Sequence, residues 1–137
     1  MEFTIKQIDA IRANVKTGAD FPKEIQEFKA LGIKKYEFFL ESGICIYYGD
    51  DNFNIKAPTE YNLLGITSLN ISERPSSETF KKILLEHQSG KSDFPTFCKQ
   101  SAKAGVNKWV CDLITMDCTY YDSSGKKMLS EKIPTVN

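Results

Sequence analysis

His87 is the only histidine in the 137-residue chain, and the sequence offers it two kinds of work. As a general base it would act on Cys98, with Asp93 or Asp112 orienting the ring. A thiol activated in this way performs nucleophilic chemistry, and the first turns of a helix favour its thiolate. As a structural residue, His87 ends the apolar stripe of a helix. There an imidazole satisfies terminal carbonyls and interacts favourably with the dipole. Spacing alone does not bring His87, Cys98 and Asp112 together, so a cysteine-dependent enzyme or redox protein stays an alternative. The four cysteines (Cys45, Cys98, Cys111 and Cys118) contain no Cys-x-x-Cys pair. Cys98, Cys111, Cys118 and His87 can be counted as a Cys₃His set, but the gaps are irregular and no metal site is expected. Gly-x-Gly-x-x-Gly, P-loop and His-Glu-x-x-His motifs do not occur, and no cofactor is expected.

Composition narrows the partners. Lys+Arg and Asp+Glu both number 18, so no overall excess of positive charge draws the chain to nucleic acid or anionic lipid. No apolar run approaches the roughly 18 residues of a membrane span, and Met1-Glu2-Phe3-Thr4 does not open a secretory signal. The expected setting is therefore the cytoplasm, with the cysteines as thiols.

The elements that would position these groups follow from an internal repeat. Laid over residues 93–121, residues 20–48 share nine identities in 29 columns, among them Asp-Phe-Pro and Cys-x-Tyr-Tyr. Unrelated segments of this composition share about two. Further matches join Thr17-Gly18 to Ser89-Gly90 and Lys56-Ala57-Pro58 to Lys132-Ile133-Pro134. The chain thus reads as one domain of two pseudo-symmetric ααβββ repeats, about 1–57 and 76–137. Residues 58–75 connect them, with a short extra strand near Ile66–Ile71. The expected fold is α+β, an antiparallel sheet with helices packed on one face.

Local signals place the elements. Thr4 with Gln7 makes a capping box before Ile5, Ile8, Ile11 and Val15, and Ser76 or Ser77 caps a helix bearing Phe80, Ile83, Leu84 and His87. Asp20 and Asp93 start the second helix of each half, and Gly32 and Gly105 end it. Ser42-Gly43 reads as a two-residue hairpin turn pairing Glu41 with Ile44. One sheet face then carries Tyr36, Phe38, Leu40, Cys45 and Tyr47, matched by Trp109, Cys111, Leu113, Cys118 and Tyr120. In this register Cys111 opposes Tyr120 and Cys118 opposes Leu113, a poor arrangement for a disulfide. The other face has Phe39, Ile44 and Ile46, apolar enough to be covered by a partner sheet, the connection or a second copy of the chain.

Comparing the halves locates a candidate site. Core positions Val15, Ile25, Phe28, Leu31 and Phe38 become His87, Cys98, Ser101, Ala104 and Cys111, each smaller, more polar or both. A close-packed interior does not leave such volume empty. Either Phe80, Phe97 and Trp109 restore the bulk, or half two holds a pocket lined by His87, Cys98, Ser101, Trp109, Cys111 and Tyr120.

The run His87-Gln88-x-Gly90-x-x-Asp93-x-x-Thr96-Phe97-Cys98 continues through Gly105-Val106, Trp109, Asp112 and Cys118-Thr119-Tyr120-Tyr121-Asp122. It resembles a family of small bacterial and prophage-encoded proteins of unknown function, sometimes labelled phage envelope protein. The resemblance spans nearly the whole chain and is strongest in half two. It implies no activity, ligand or catalytic residue, while the envelope label implies a phage structural component. The leading expectation is a non-catalytic protein that binds a small molecule or protein, through the half-two pocket or the open sheet face, the latter also serving a homodimer.

Overall fold

Thr4 opens the first helix as its spacing to Gln7 predicts. Its Oγ1 accepts from Gln7 N at 3.2 Å, and Gln7 Oε1 accepts from Thr4 N at 2.9 Å. A computed structural model describes residues 2–15, 18–59 and 68–134. Helix α1 (Ile5–Arg12) leads through a 3₁₀ turn at Gly18–Asp20 into α2 (Phe21–Leu31), and strands β1 (Lys35–Phe39), β2 (Ile44–Tyr48) and β3 (Asn54–Pro58) complete the half. Half two repeats the order with α3 (Ser77–Gln88), α4 (Phe94–Lys103), β4 (Lys108–Asp112), β5 (Asp117–Tyr121) and β6 (Lys127–Lys132). Ser76 is the cap of α3, and Asp93 caps α4 by accepting from Thr96 N at 2.8 Å. Asp20 stands at the N-cap of α2 without a side-chain cap bond, because the 3₁₀ turn already holds it in a helical conformation. Pro22 and Pro95 each occupy a first turn, where no N–H is needed.

The six strands among the described residues join one antiparallel sheet in the order β3-β2-β1-β4-β5-β6. The halves meet at β1 and β4, where Lys35 pairs with Asp112, Glu37 with Val110 and Phe39 with Lys108. The repeat makes Lys35 the counterpart of Lys108, Glu37 of Val110 and Phe39 of Asp112. Each pair therefore maps onto its own reverse, as in a two-fold dimer interface, with the pseudo-axis at Glu37 and Val110. The α+β fold of two ααβββ units is thus a dimer written into one chain.

The helices cover one face. Tyr36, Phe38, Cys45, Tyr47, Trp109, Cys111, Cys118 and Tyr120 alternate inward and are buried. Phe39, Ile44, Ile46 and Tyr48 on the other face stay half-buried.

The hairpin registers differ from expectation by two residues. Phe39, not Glu41, flanks the loop opposite Ile44, and Gly43 N donates to Phe39 O at 2.8 Å. The connection is a four-residue loop, Leu40–Gly43, closed by Gly43 at φ 76°. Half two uses the same loop at Leu113–Met116, with Met116 forced to φ 58°. A shift of two preserves which residues face the helices, so the expected faces survive while every cross-strand partner changes. Cys111 now pairs directly with Cys118, and Trp109 with Tyr120. The expected pairs of Cys111 with Tyr120 and Cys118 with Leu113 are corrected accordingly.

That register also corrects the reading of all four cysteines as thiols: Cys111 and Cys118, with Cα atoms 4.3 Å apart, form a disulfide. Cys45 and Cys98 are buried and take no part in that disulfide. Closing so short a loop, with a sequence separation of 7, stabilises by roughly 2–3 kcal/mol in the chain-entropy picture. Urea unfolding of the Cys111→Ser/Cys118→Ser variant is expected to show that loss. Unchanged stability would mean that the pair contributes no cross-link to the folded chain.

The match of Lys56-Ala57-Pro58 to Lys132-Ile133-Pro134 is not a match in register. Ala57 pairs with Cys45, whereas Cys118 pairs with Glu131, after a bulge near Tyr120 and Tyr121 shifts β6 by one residue. Of the strand expected near Ile66–Ile71, residues 60–67 lie outside the described residues, and Ser68–Ile71 form no strand.

Candidate functional site

A cavity of about 410 Å³ lies between the helices and the sheet, lined by residues of both halves. Half one contributes Arg12, Val15, Glu24, Tyr36, Phe38 and Cys45. Half two contributes His87, Phe94, Phe97, Trp109, Tyr120 and the Cys111–Cys118 disulfide. The cavity is therefore shared by the repeats, whereas the expected pocket lay within half two.

The aromatic wall is continuous. Phe38 meets Trp109 at 4.7 Å between ring centroids and Phe94 at 5.3 Å, while Phe97 and Tyr120 lie 5.4 Å and 5.7 Å from Trp109. Phe80 and Phe97 also restore bulk behind the wall: Phe80 is fully buried and packs 4.7 Å from Tyr120 and 6.1 Å from Phe97. These rings occupy the volume that the shorter residues of half two release.

Of the six residues expected to line a pocket, His87, Trp109, Cys111 and Tyr120 line this cavity, and Cys98 and Ser101 do not. Cys98 and Ser101 are wholly buried. They stand where half one has Ile25 and Phe28, against the interior rather than the opening. Ser101 Oγ has no hydrogen-bond partner among the described residues. Asp112, the expected orienter, faces away from the helices: its carboxylate accepts from Ile114 N and Thr115 N at 2.9 and 3.0 Å in the β4–β5 loop. Those bonds oppose the burial that would raise its pKa and leave it below the usual aspartate value.

His87 stacks on Phe97, with centroids 4.2 Å apart and planes 6° apart. Its Nδ1 lies 3.1 Å from both the carbonyl and the hydroxyl of Ser92. Burial pushes the imidazole pKa below its ordinary value against the Ser92 bond, so the neutral ring is favoured. Burial also pushes the Cys45 thiol up to about 12, which removes it as a thiolate at neutral pH. Among the described residues, no group of three or more His, Cys, Asp or Glu is arranged to hold a metal ion. No helix among them is long and apolar enough to cross a membrane.

The polar part of the cavity comes from half one. Arg12 ends α1 and Glu24 lies in the first turn of α2, with Nη1 to Oε2 at 3.8 Å and side-chain exposures of 19% and 7%. Arg12 also donates to Tyr47 Oη at 3.4 Å and covers the Phe94 ring at 5.2 Å. Burial raises the Glu24 pKa, and the loose contact with Arg12 offsets only part of that. Burial alone would lower the guanidinium, but Tyr47 and Glu24 outweigh it and hold Arg12 charged. The overlay of residues 20–48 on 93–121 sets Glu24 against Phe97, which compares bulk and draws no attention to the charge. The missed signal was a carboxylate among Phe21, Ile25 and Phe28 on one helix face, and a guanidinium at the end of the stripe of Ile5, Ile8 and Ile11.

Fold and site together define a pseudo-two-fold α+β protein with an aromatic-walled cavity shared by its two repeats. The chain belongs to the family described as Protein of unknown function (DUF1398), whose sequence profile matches residues 9–132. No curated protein matches the chain.

Proposed function

We propose that the protein is a non-catalytic binding protein whose central cavity holds a small molecule with a flat, apolar body. The carrying observation is the cavity itself: about 410 Å³, walled by Tyr36, Phe38, Phe94, Phe97, Trp109 and Tyr120. That volume lies within the range of small-molecule sites, which are mostly apolar with a few placed polar groups. Cysteine chemistry has less support. Cys98 lies outside the cavity lining, Cys45 is held as a thiol, and Cys111 is bonded to Cys118.

The test uses naphthalene as an apolar probe and the indole N–H resonance of Trp109, the only tryptophan of the chain, as reporter. Titration is expected to move that resonance saturably. Ala13→Phe, at an exposed helix end that also lines the cavity, is expected to weaken the response. A Trp109 resonance indifferent to naphthalene would overturn the proposal.

A further inference from the structure

The Arg12–Glu24 pair makes few hydrogen bonds within the protein for one so little exposed. A guanidinium carries five N–H donors, and Arg12 makes one hydrogen bond among the described residues, the long one to Tyr47. The Glu24 carboxylate is 7% exposed, lies beyond hydrogen-bond distance of Arg12 and accepts no hydrogen bond among the described residues. Ser101 Oγ alone is a fully buried side-chain atom without a partner among the described residues, so the open hydrogen-bonding positions of Arg12 and Glu24 face accessible space, and the space they line is the cavity. The fold does not require them, because the repeat puts Leu84 at the counterpart of Arg12 and Phe97 at that of Glu24. Both Arg12 and Glu24 line the cavity. An unused donor and an unused acceptor thus stand side by side against an aromatic wall.

We propose that the ligand is a flat heterocycle with a lactam edge, its carbonyl accepting from Arg12 and its adjacent N–H donating to Glu24. This rests on the cavity reading above and narrows it to a chemical class. A carboxylate ligand would satisfy Arg12 but meet the negative charge of Glu24, with Asp9 also on the lining. An ammonium ligand would satisfy Glu24 but meet Arg12. A neutral lactam satisfies both without adding a charge to a low-dielectric site. Its ring would lie against the rings that line the same space. The class includes oxo-purines, pyrimidinones and pterins, which share this edge.

Four probes separate the ideas by NMR titration at Trp109: 2-quinolinone, 1-methyl-2-quinolinone, quinoline-2-carboxylate and naphthalene. The lactam is expected to bind at least about 10-fold more tightly than each of the other three, because a site built for a hydrogen bond rejects analogues that lack it. The Arg12→Leu/Glu24→Phe variant, which copies half two, is expected to level the lactam and naphthalene affinities. Equal affinities for all four probes in the natural chain would overturn the lactam assignment while leaving the cavity reading intact. A carboxylate bound more tightly than the lactam would also overturn it. So would a lactam preference that persists in the double variant. Absence of binding by every probe would remove the cavity reading and this inference together.

Discussion

Arg12→Leu is expected to destabilise the chain by about 3 kcal/mol, and adding Glu24→Phe is expected to restore most of that loss. Removing one member of a buried ion pair strands the other, which typically costs 3–5 kcal/mol. The lower end applies here because the contact is 3.8 Å long and Arg12 is 19% exposed. Replacing both members with apolar residues is commonly neutral or stabilising. In this chain the replacement has a template, since Leu84 and Phe97 pack at the matching places, 4% and 3% exposed.

The sign of the pH dependence is fixed by Glu24. Its folded pKa already lies above the ordinary carboxylate value because of burial, and losing Arg12 raises it further. A raised carboxylate pKa means that the folded state binds more protons, so stability falls as pH rises from the unfolded value near 4.5 towards the folded one. The deficit of Arg12→Leu is therefore smallest below that value and grows towards neutral pH, whereas the double variant shows no such growth. Urea unfolding at pH 4 and pH 7 measures both. A double variant as unstable as the single one would mean that the pair is structural, and its poor satisfaction would then lose its meaning as a ligand signal.

What was legible in the sequence was whatever a local rule controls. The capping box at Thr4 and Gln7, the Asp-Phe-Pro starts and the alternation along Tyr36–Leu40 predict element order and buried faces. Those faces tolerate a two-residue error, because side-chain direction repeats every second residue. Register is less tolerant. It depends on the loop, and a methionine in the left-handed region at position 116 breaks the residue preference that turn reading relies on. The Cys111–Cys118 disulfide escaped the sequence reading for that reason, and because a cytoplasmic setting favours thiols.

The cavity is harder to read because no single half contains it. Comparing half two with half one finds positions that shrink, but Phe80 and Phe97 supply bulk there, and Cys98 and Ser101 fall outside the opening. The lining draws on α1 and α2 of half one as well as on half two. Its sequence signal was two charges on apolar helix faces, not a loss of volume. The repeat shows why this matters: one half has Leu84 and Phe97 where the other has Arg12 and Glu24, so the asymmetry lies in polarity as much as in size.

Gly105→Ala is expected to cost about 3–5 kcal/mol, against about 1–2 kcal/mol for Gly125→Ala. Both glycines have positive φ, 93° and 83°, so both variants carry the left-handed strain of an L-residue. Only Gly105 adds a steric term. A Cβ at Gly125 meets nothing within 4 Å, whereas one at Gly105 would press on the Cα of Pro75 and lie 2.8 Å from its Cβ. Pro75 cannot step aside freely. Ser72 N donates to Ala102 O at 2.9 Å and Ser76 N to Ala104 O at 2.8 Å, clamping the segment to the end of α4. Ser76 is also the cap of α3, the helix that carries Leu84 and His87 into the cavity wall. The alanine must therefore strain its own backbone or loosen that clamp. Chemical denaturation of the two variants side by side separates the terms, because their difference reports the Pro75 contact alone. Equal losses would show that the segment before α3 yields at little cost, and that the placement of His87 does not depend on this junction.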